Sequence, residues 1–225
     1  MKRLLVLRPE PGAAATFARA LAAGFQPIAA PIFTLAPIPW EAPEAAAYDA
    51  LMLTSANAVR HAGPALDLYR ALPVYAVGEA TAVAAIDAGF TDVRAGAGDA
   101  AALVALMAQD GIARPLHLAG RQHRDLAGAS MPIARRIVYS AEPVTALPAA
   151  ARAAIHDGAI ALVHSPRAGE VFAHLLGQGG IAPSTVAIAA ISEAASAGTW
   201  RKVAIADAPN DSALLAAAAR LCEKG

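Results

Sequence analysis

One cysteine, Cys222, is the only thiol in this chain of 225 residues. A lone thiol excludes an intrachain disulfide and cannot by itself build a zinc site. The histidines (His61, His117, His123, His156, His164 and His174) are scattered, with no HExxH pair, which argues against a metal centre. Charge is scarce too: Asp, Glu, Lys and Arg make up 16% of the chain and balance to a formal net charge of +0. That balance leaves no electrostatic footprint for nucleic acid or an anionic membrane. No apolar stretch is long and uncharged enough to span a bilayer. The amino end begins with Lys2-Arg3 like a signal peptide, but its apolar run stops at Arg8. That is short of an h-region of about 7–15 residues, so a buried first strand and a cytoplasmic protein are expected. There is no Gly-x-Ser-x-Gly elbow and no Walker A lysine.

What is abundant is apolar side chain, 57% of the residues. Much of it is alanine, which favours helix and fills helix–sheet interfaces. The length suits one large domain or two of roughly 100 residues. Three internal echoes favour two. Leu51-Met52-Leu53-Thr54-Ser55-Ala56-Asn57 is repeated as Ala161-Leu162-Val163-His164-Ser165-Pro166-Arg167. Val74–Ala82 is echoed by Val186–Ala195, and Gly98–Leu103 by Asn210–Leu215. The stretch Arg135–Pro143, rich in β-formers, lies between the copies and reads as the joint. A site between two lobes would have Tyr139 at its edge.

Taken in order, the chain predicts strands at Leu4–Leu7 and Gln26–Ala30 around a helix at Ala13–Ala23, with Gly24 as its stop. Thr34–Pro39 carries Pro37 and Pro39, suiting an edge strand or linker. It is paired in expectation with the return at Ile137–Pro143 as a short two-stranded hinge. Strands follow near Ala50–Leu53, Val74–Val77, Asp92–Arg94 and Leu116–Leu118. Helices are expected near Ala56–Ala65, Thr81–Ala88, Asp99–Gln109 and, weakly, Arg124–Ser130. Beyond the joint come a helix at Ala149–His156, a strand at Ala159–Val163 and a helix at Ala168–Gly177. Strands at Val186–Ile191 and Lys202–Ala206 flank a short helix, and a last helix, Asp211–Leu221, has Asp211 as N-cap. Continuous apolar strands alternating with helices indicate α/β lobes with parallel sheets covered on both faces. The expected division is 1–34 with 144–225 for a discontinuous first lobe, 40–136 for the second, and 35–39 with 137–143 as linker strands.

Ligands of open parallel sheets bind beyond the carboxyl ends of the strands. Those ends are Arg8, Thr54-Ser55-Ala56-Asn57, Gly78-Glu79-Ala80-Thr81, Gly120-Arg121, Ser165-Pro166-Arg167 and Ser192-Glu193. Helix-opening turns of small hydroxyl, glycine and amide residues present N–H groups and a positive dipole end, suited to carboxylate or phosphate. The plain alternative is N-capping alone. Gly96-Ala97-Gly98-Asp99-Ala100-Ala101 fits GxGxxA, but it comes too late in the unit for a dinucleotide fingerprint and reads better as a loop entering a helix. Arg121, His123 and Arg124 form a local cationic cluster, either a solvated loop or a grip on carboxylates. Asp49, Glu79, Glu170 and Glu193 are lone carboxylates at helix starts, where dipole pairing is the usual role. His164 and Ser165 are strand neighbours pointing to opposite faces, so they form no dyad. Cys222 falls on the apolar face of the last helix with Leu214, Leu215, Ala218 and Leu221.

The order of these pieces resembles the uroporphyrinogen-III synthase family over essentially the whole chain. The resemblance is carried by Leu5-Val6-Leu7-Arg8-Pro9 with Gly24-Phe25 and Pro31; Leu53–Val59; Val77–Ala82 with Gly89-Phe90; Gly120-Arg121; Val138-Tyr139; and Ser165-Pro166 through Phe172. It implies two flavodoxin-like α/β lobes joined by a two-stranded linker, and a lyase of haem biosynthesis. The reaction would be the cofactor-free closure of a linear tetrapyrrole, hydroxymethylbilane, to uroporphyrinogen III, with inversion of the fourth pyrrole ring and loss of water. The family's proposed acid falls on Tyr139, and its hydroxyl and amide turns fall on Thr54, Ser55, Asn57, Thr81 and Ser165. With the other strand ends, the expected substrate contacts are Arg8, Gly78, Gly120, Arg121, Arg167 and Ser192 as well. No metal and no nucleic-acid or membrane partner is implied, and a monomer is expected. Where the family often has Gly-Pro-Thr-Thr, this chain has Ser192-Glu193-Ala194-Ala195. Contact there would fall to backbone N–H groups or Ser192. Without the resemblance, the same lobes and turns would also suit a non-catalytic two-lobe binding protein, or more weakly a nucleotide-using enzyme.

Overall fold

The computed structural model describes residues 2–96, 100–123 and 131–223. The predicted helix at Arg124–Ser130, Arg124 of the cationic cluster, and the centre of the GxGxxA stretch lie outside the described residues. The chain divides into two compact units, Met1–Thr34 with Glu142–Gly225, and Leu35–Ala141.

The first unit opens with β1 (Arg3–Val6), α1 (Gly12–Ala22) and β2 (Gln26–Ala29). β3 (Phe33–Pro37) carries the chain into the second unit. There β4 (Ala50–Leu53), α2 (Ala56–His61), β5 (Val74–Val77), α3 (Glu79–Asp87), β6 (Val93–Gly96) and α4 (Ala100–Gln109) alternate. β7 (Pro115–Gly120) and β8 (Ala134–Pro143) complete it. Back in the first unit come α5 (Ala149–His156), β9 (Ile160–Val163), α6 (Pro166–Gln178), β10 (Ala187–Ala190), β11 (Lys202–Ile205) and α7 (Asp211–Glu223).

The first sheet runs β11-β10-β9-β1-β2, all parallel. The second runs β3-β8-β7-β4-β5-β6, parallel from β8 to β6. β4, β9 and β10 are buried on both faces, which is why they read as unbroken apolar runs. Alternation assigns the faces. Leu5 and Leu7 join Ala151, Phe172 and Leu176 of α5 and α6, whereas Leu4 and Val6 join Ala20, Leu214 and Ala218 of α1 and α7. In the second unit Leu51 and Leu53 pack with Ala58, Val59 and Ala85 of α2 and α3, and Ala50 and Met52 with Leu103 and Met107 of α4. Among the described residues no helix is long and apolar enough to cross a membrane.

Most boundaries fall within a residue or two of the expected ones, and the exceptions have local causes. α2 stops at His61 because Gly63 takes a positive φ of 70° and Pro64 follows; Pro64–Tyr69 is a 3-10 turn instead. Gly24 and Gly89 end α1 and α3 in the left-handed region, at φ 80° and 94°. Each lets the next N–H (Phe25, Phe90) reach back to close the last turn. β8 is longer than the expected return linker: His117, Leu118 and Ala119 of β7 pair with Arg135, Arg136 and Ile137. Fully buried β7 needs a partner on that edge, so the strand forms before the chain turns back. Val138 accepts from Ile38 N–H, and Val144 N–H donates to Ile32, an antiparallel sense for β3 and β8. The cap of α7 is Asn210, whose Oδ1 accepts from Ala213 N–H at 2.9 Å, and not Asp211. Cys222 donates to Ala218 O and packs partly into the core.

Candidate functional site

The sheet orders gather the predicted residues into one row per unit. In the second unit β8, β7, β4 and β5 are neighbours, so Tyr139, Gly120 with Arg121, Thr54 with Ser55 and Asn57, and Gly78 with Thr81 follow one another along one end of the sheet. In the first, β1, β9 and β10 are neighbours, bringing together Arg8, Ser165 with Arg167, and Ser192.

The serines are caps. Ser55 Oγ accepts from Asn57 N–H at 3.2 Å, Ser165 Oγ from Ala168 N–H at 3.1 Å, and Ser192 Oγ from Ala195 N–H at 3.3 Å. Each hydroxyl keeps its own proton to donate elsewhere. Ser192 opens a 3-10 turn, Glu193–Ser196, too short to carry the dipole of α6. Gly78 caps α3 through its backbone at φ 75°. Thr81 is 5% exposed and packs inside the unit, unlike the half-buried Thr54, Ser55 and Asn57. The Arg167 guanidinium lies 4.7 Å over the Phe33 ring. Asp49 is structural, accepting from the N–H groups of Ala113 and Arg114.

Tyr139 faces Gly120 across β7 and β8, just past a shift in register. A Cβ on Gly120 would lie 2.6 Å from Cζ of the phenol, so only glycine leaves room for this ring. On its other side the ring stacks on His61, 5.9 Å away at 27°. Burial, then the charge of Arg60, lowers the His61 pKa, so it is a neutral partner near pH 7. Tyr139 is half-buried, and its hydroxyl has no hydrogen-bond partner among the described residues. His123 Nδ1 lies 2.9 Å from Gly120 O; a carbonyl only accepts, so Nδ1 holds the proton.

Two polar clusters assemble from residues far apart in the sequence. In the second unit His117, 1% exposed, sits between Thr54 and Arg135. Thr54 Oγ1 is 3.0 Å from its Nε2, and Arg135 Nε donates to its Nδ1 at 3.4 Å. His117 pairs with Met52 on one side and Arg135 on the other, placing these side chains on one face. Burial first, then the charges of Arg135 and His123, pushes the His117 pKa down to about 3.

In the first unit Asp211 gathers Arg8 (3.3 Å), Thr16 (2.7 Å), Arg19 (2.9 Å) and His164 Nε2 (3.1 Å). Burial works against its ionisation. The hydrogen bonds from His164 and Thr16 and the charges of His164 and Arg8 outweigh that, and hold the carboxyl well below the usual range. Arg8, Arg19, His164 and residues 209–212 line a depression of about 360 Å³. Arg8 is therefore a predicted contact already engaged by a carboxylate. Among the described residues no group of three or more His, Cys, Asp or Glu could hold a metal ion.

Comparison with known proteins gives one family. The family model described as uroporphyrinogen-III synthase HemD matches residues 15–216. A crystal structure of a selenomethionine-labelled mutant uroporphyrinogen III synthase from the extremely thermophilic bacterium Thermus thermophilus is similar, with 18% identity, a TM-score of 0.58 and all of both chains covered. The wild-type protein in a second crystal form is 17% identical with a TM-score of 0.44, covering 100% of this chain and 99% of that one. No curated protein sequence matches.

Proposed function

The chain belongs to the uroporphyrinogen-III synthase family, enzymes of haem biosynthesis that close hydroxymethylbilane to uroporphyrinogen III, and we propose that this one works as a cofactor-free cyclising lyase whose residues mainly bind and orient. The family match over residues 15–216 carries this reading. Each unit supports it by what it offers: a row of helix-start turns, to which the second unit adds the half-buried phenol of Tyr139.

A linear tetrapyrrole with eight carboxylates needs many modest anion contacts. Ser55, Asn57 and Gly78 in one unit, and Ser165, Arg167 and Ser192 in the other, stand at turns whose N–H groups and hydroxyls suit them. Gly120 and Arg121 extend the first row; Arg8 contributes with one face of a guanidinium already bound to Asp211. Holding both ends of the substrate raises the effective concentration of the terminal ring at the hydroxymethyl carbon. Breaking the C–OH bond leaves a cation that the adjoining pyrrole nitrogen stabilises. Tyr139 gives its proton to the departing hydroxyl, which leaves as water; ring closure with inversion of the fourth pyrrole then releases a proton that restores the phenol. One acid of this kind contributes about 10²–10⁴-fold.

Incubation with enzymatically made hydroxymethylbilane, followed by isomer analysis, tests the reading. Uroporphyrinogen III is the expected product. Only the uninverted isomer, at the rate seen without protein, would exclude it.

A further inference from the structure

We propose that His117 is a positioning residue, committing the Thr54 hydroxyl to donate away from the imidazole and toward a carboxylate oxygen of the substrate. This rests on the reading of Thr54 as a substrate contact. The starting point is Arg135. A guanidinium carries only donors, so Nδ1 of His117, which receives Arg135 Nε–H at 3.4 Å, is the unprotonated nitrogen. With its pKa pushed down to about 3, the ring holds a single proton near neutral pH. That proton is on Nε2, 3.0 Å from Thr54 Oγ1. The imidazole donates and the threonine oxygen accepts.

A hydroxyl has one proton and two acceptor sites. With one site taken by His117, the Thr54 proton points elsewhere, and no other partner of this side chain occurs among the described residues. Thr54 is half-buried at the end of β4, whereas His117 is almost wholly covered. An isolated threonine could turn its hydroxyl to accept from a pyrrole N–H as readily as to donate. Here the proton is turned away from the imidazole and still needs an acceptor, so the ligand group that satisfies it is an ionised carboxylate, while the second acceptor site stays open. A pyrrole N–H meeting the same proton would leave both donors unmatched. A surface threonine without such backing would have to select this rotamer on binding.

Two measurements on the whole protein test this. Nitrogen-resolved NMR of the imidazoles should find His117 as the neutral Nε2–H tautomer at pH 6–7. An Nδ1–H tautomer, or an imidazolium at pH 6, would overturn the proposal. In kinetics with hydroxymethylbilane, Thr54→Val should raise KM about two- to tenfold, the worth of one hydrogen bond, with kcat little changed. His117→Leu should raise KM similarly, and adding Thr54→Val to it should change little more. His117→Gln offers a donor NH2 group for Thr54 and an acceptor oxygen for Arg135 on a side chain of similar reach and should restore KM. Unchanged KM in Thr54→Val, or in a His117→Leu protein with an intact circular-dichroism spectrum, would also overturn it. Wild-type protein that makes no uroporphyrinogen III would instead remove the function itself, and the tautomer, being independent of turnover, tells these failures apart.

Discussion

Thr54 and His164 hold the same place in the two units. Each follows a central strand, β4 or β9, and each precedes the serine that caps the next helix. The registers extend the equivalence: Met52 lies beside His117 and Arg135 beyond it, as Leu162 lies beside Val6 and Ala29 beyond that. The polar backing of Thr54 thus corresponds to two apolar residues in the first unit. His164 turns instead to Asp211 at the start of α7. The sheet orders β8-β7-β4-β5-β6 and β2-β1-β9-β10-β11 correspond strand for strand, although two strands stand first in one unit and last in the other. Backbone plan survives such a rearrangement because it needs only apolar strands and capped helices. The polar partner at the strand end does not, because any neighbour within reach can satisfy it. The second unit ends with a neutral pair and the first with an ionised cluster, and acid should tell them apart.

That acid difference is the largest expected effect. His117 is neutral in the folded protein, with a pKa of about 3, but takes up a proton near pH 6.5 when unfolded. Between these values the unfolded state binds more protons, so stability rises with pH and is lost as pH falls from about 6.5 toward 3. The loss is of order 4 kcal/mol at the acid end of the window. Asp211, whose carboxyl is depressed, adds stability that is lost only below its ordinary value of 3.8. Urea midpoints at pH 7, 5 and 4 should fall steadily in the wild type and much less in His117→Gln. Parallel falls in both would place the acid sensitivity elsewhere.

Tyr139 sharpens the contrast in function, since the predicted row of the first unit contains no phenol. Tyr139→Phe should lower turnover about ten- to a thousandfold and leave the melting temperature nearly unchanged, because its hydroxyl has no internal partner among the described residues. Unaltered turnover would mean that another group, or the substrate itself, assists departure of the hydroxyl. Asp211→Asn comes next. It leaves Arg8, Arg19 and His164 facing a neutral amide in the first unit, at about 2 kcal/mol of stability, the scale of hydrogen bonds to a charged group. Full stability in that variant, by urea unfolding at pH 7, would show the cluster to be screened by solvent.

Legibility followed distance along the chain. The glycine stops at Gly24 and Gly89 and the serine starts at Ser55 and Ser165 are local matters of φ and capping, so they could be read directly. Gly63-Pro64 was an equally local signal, and it ends α2 sooner than the apolar pattern suggests. Asp211 reads as a cap because that is what an aspartate at a helix start does locally. Its actual donors include Thr16, 195 positions away. His117 looked like one of several scattered histidines because Thr54 lies 63 positions off. A polar residue alternating with Leu116 and Leu118 in a buried strand was the available sign that it needed partners.

The smallest effect tests whether the shared plan is energetically shared. Ser55 and Ser165 do the same job at equivalent places, but Ser55 bonds the second N–H of a six-residue helix and Ser165 the third of a thirteen-residue one. Removing either hydroxyl leaves one helix N–H without its acceptor, and a cap of this kind contributes about 1 kcal/mol. α6 is amphipathic and long enough for its packing of Phe172, Leu175 and Leu176 to hold it regardless of the cap. α2 has only Ala58 and Val59 buried and ends at a Gly-Pro break, so little else defines its start. Ser55→Ala should therefore lose about 1 kcal/mol and Ser165→Ala somewhat less, measured by urea unfolding of otherwise identical proteins. Hydrogen exchange should localise the first loss to the N–H groups after β4. A larger loss at Ser165 would mean that the long helix depends on its first turn more than its buried face implies, and the two turns would then be alike in geometry only.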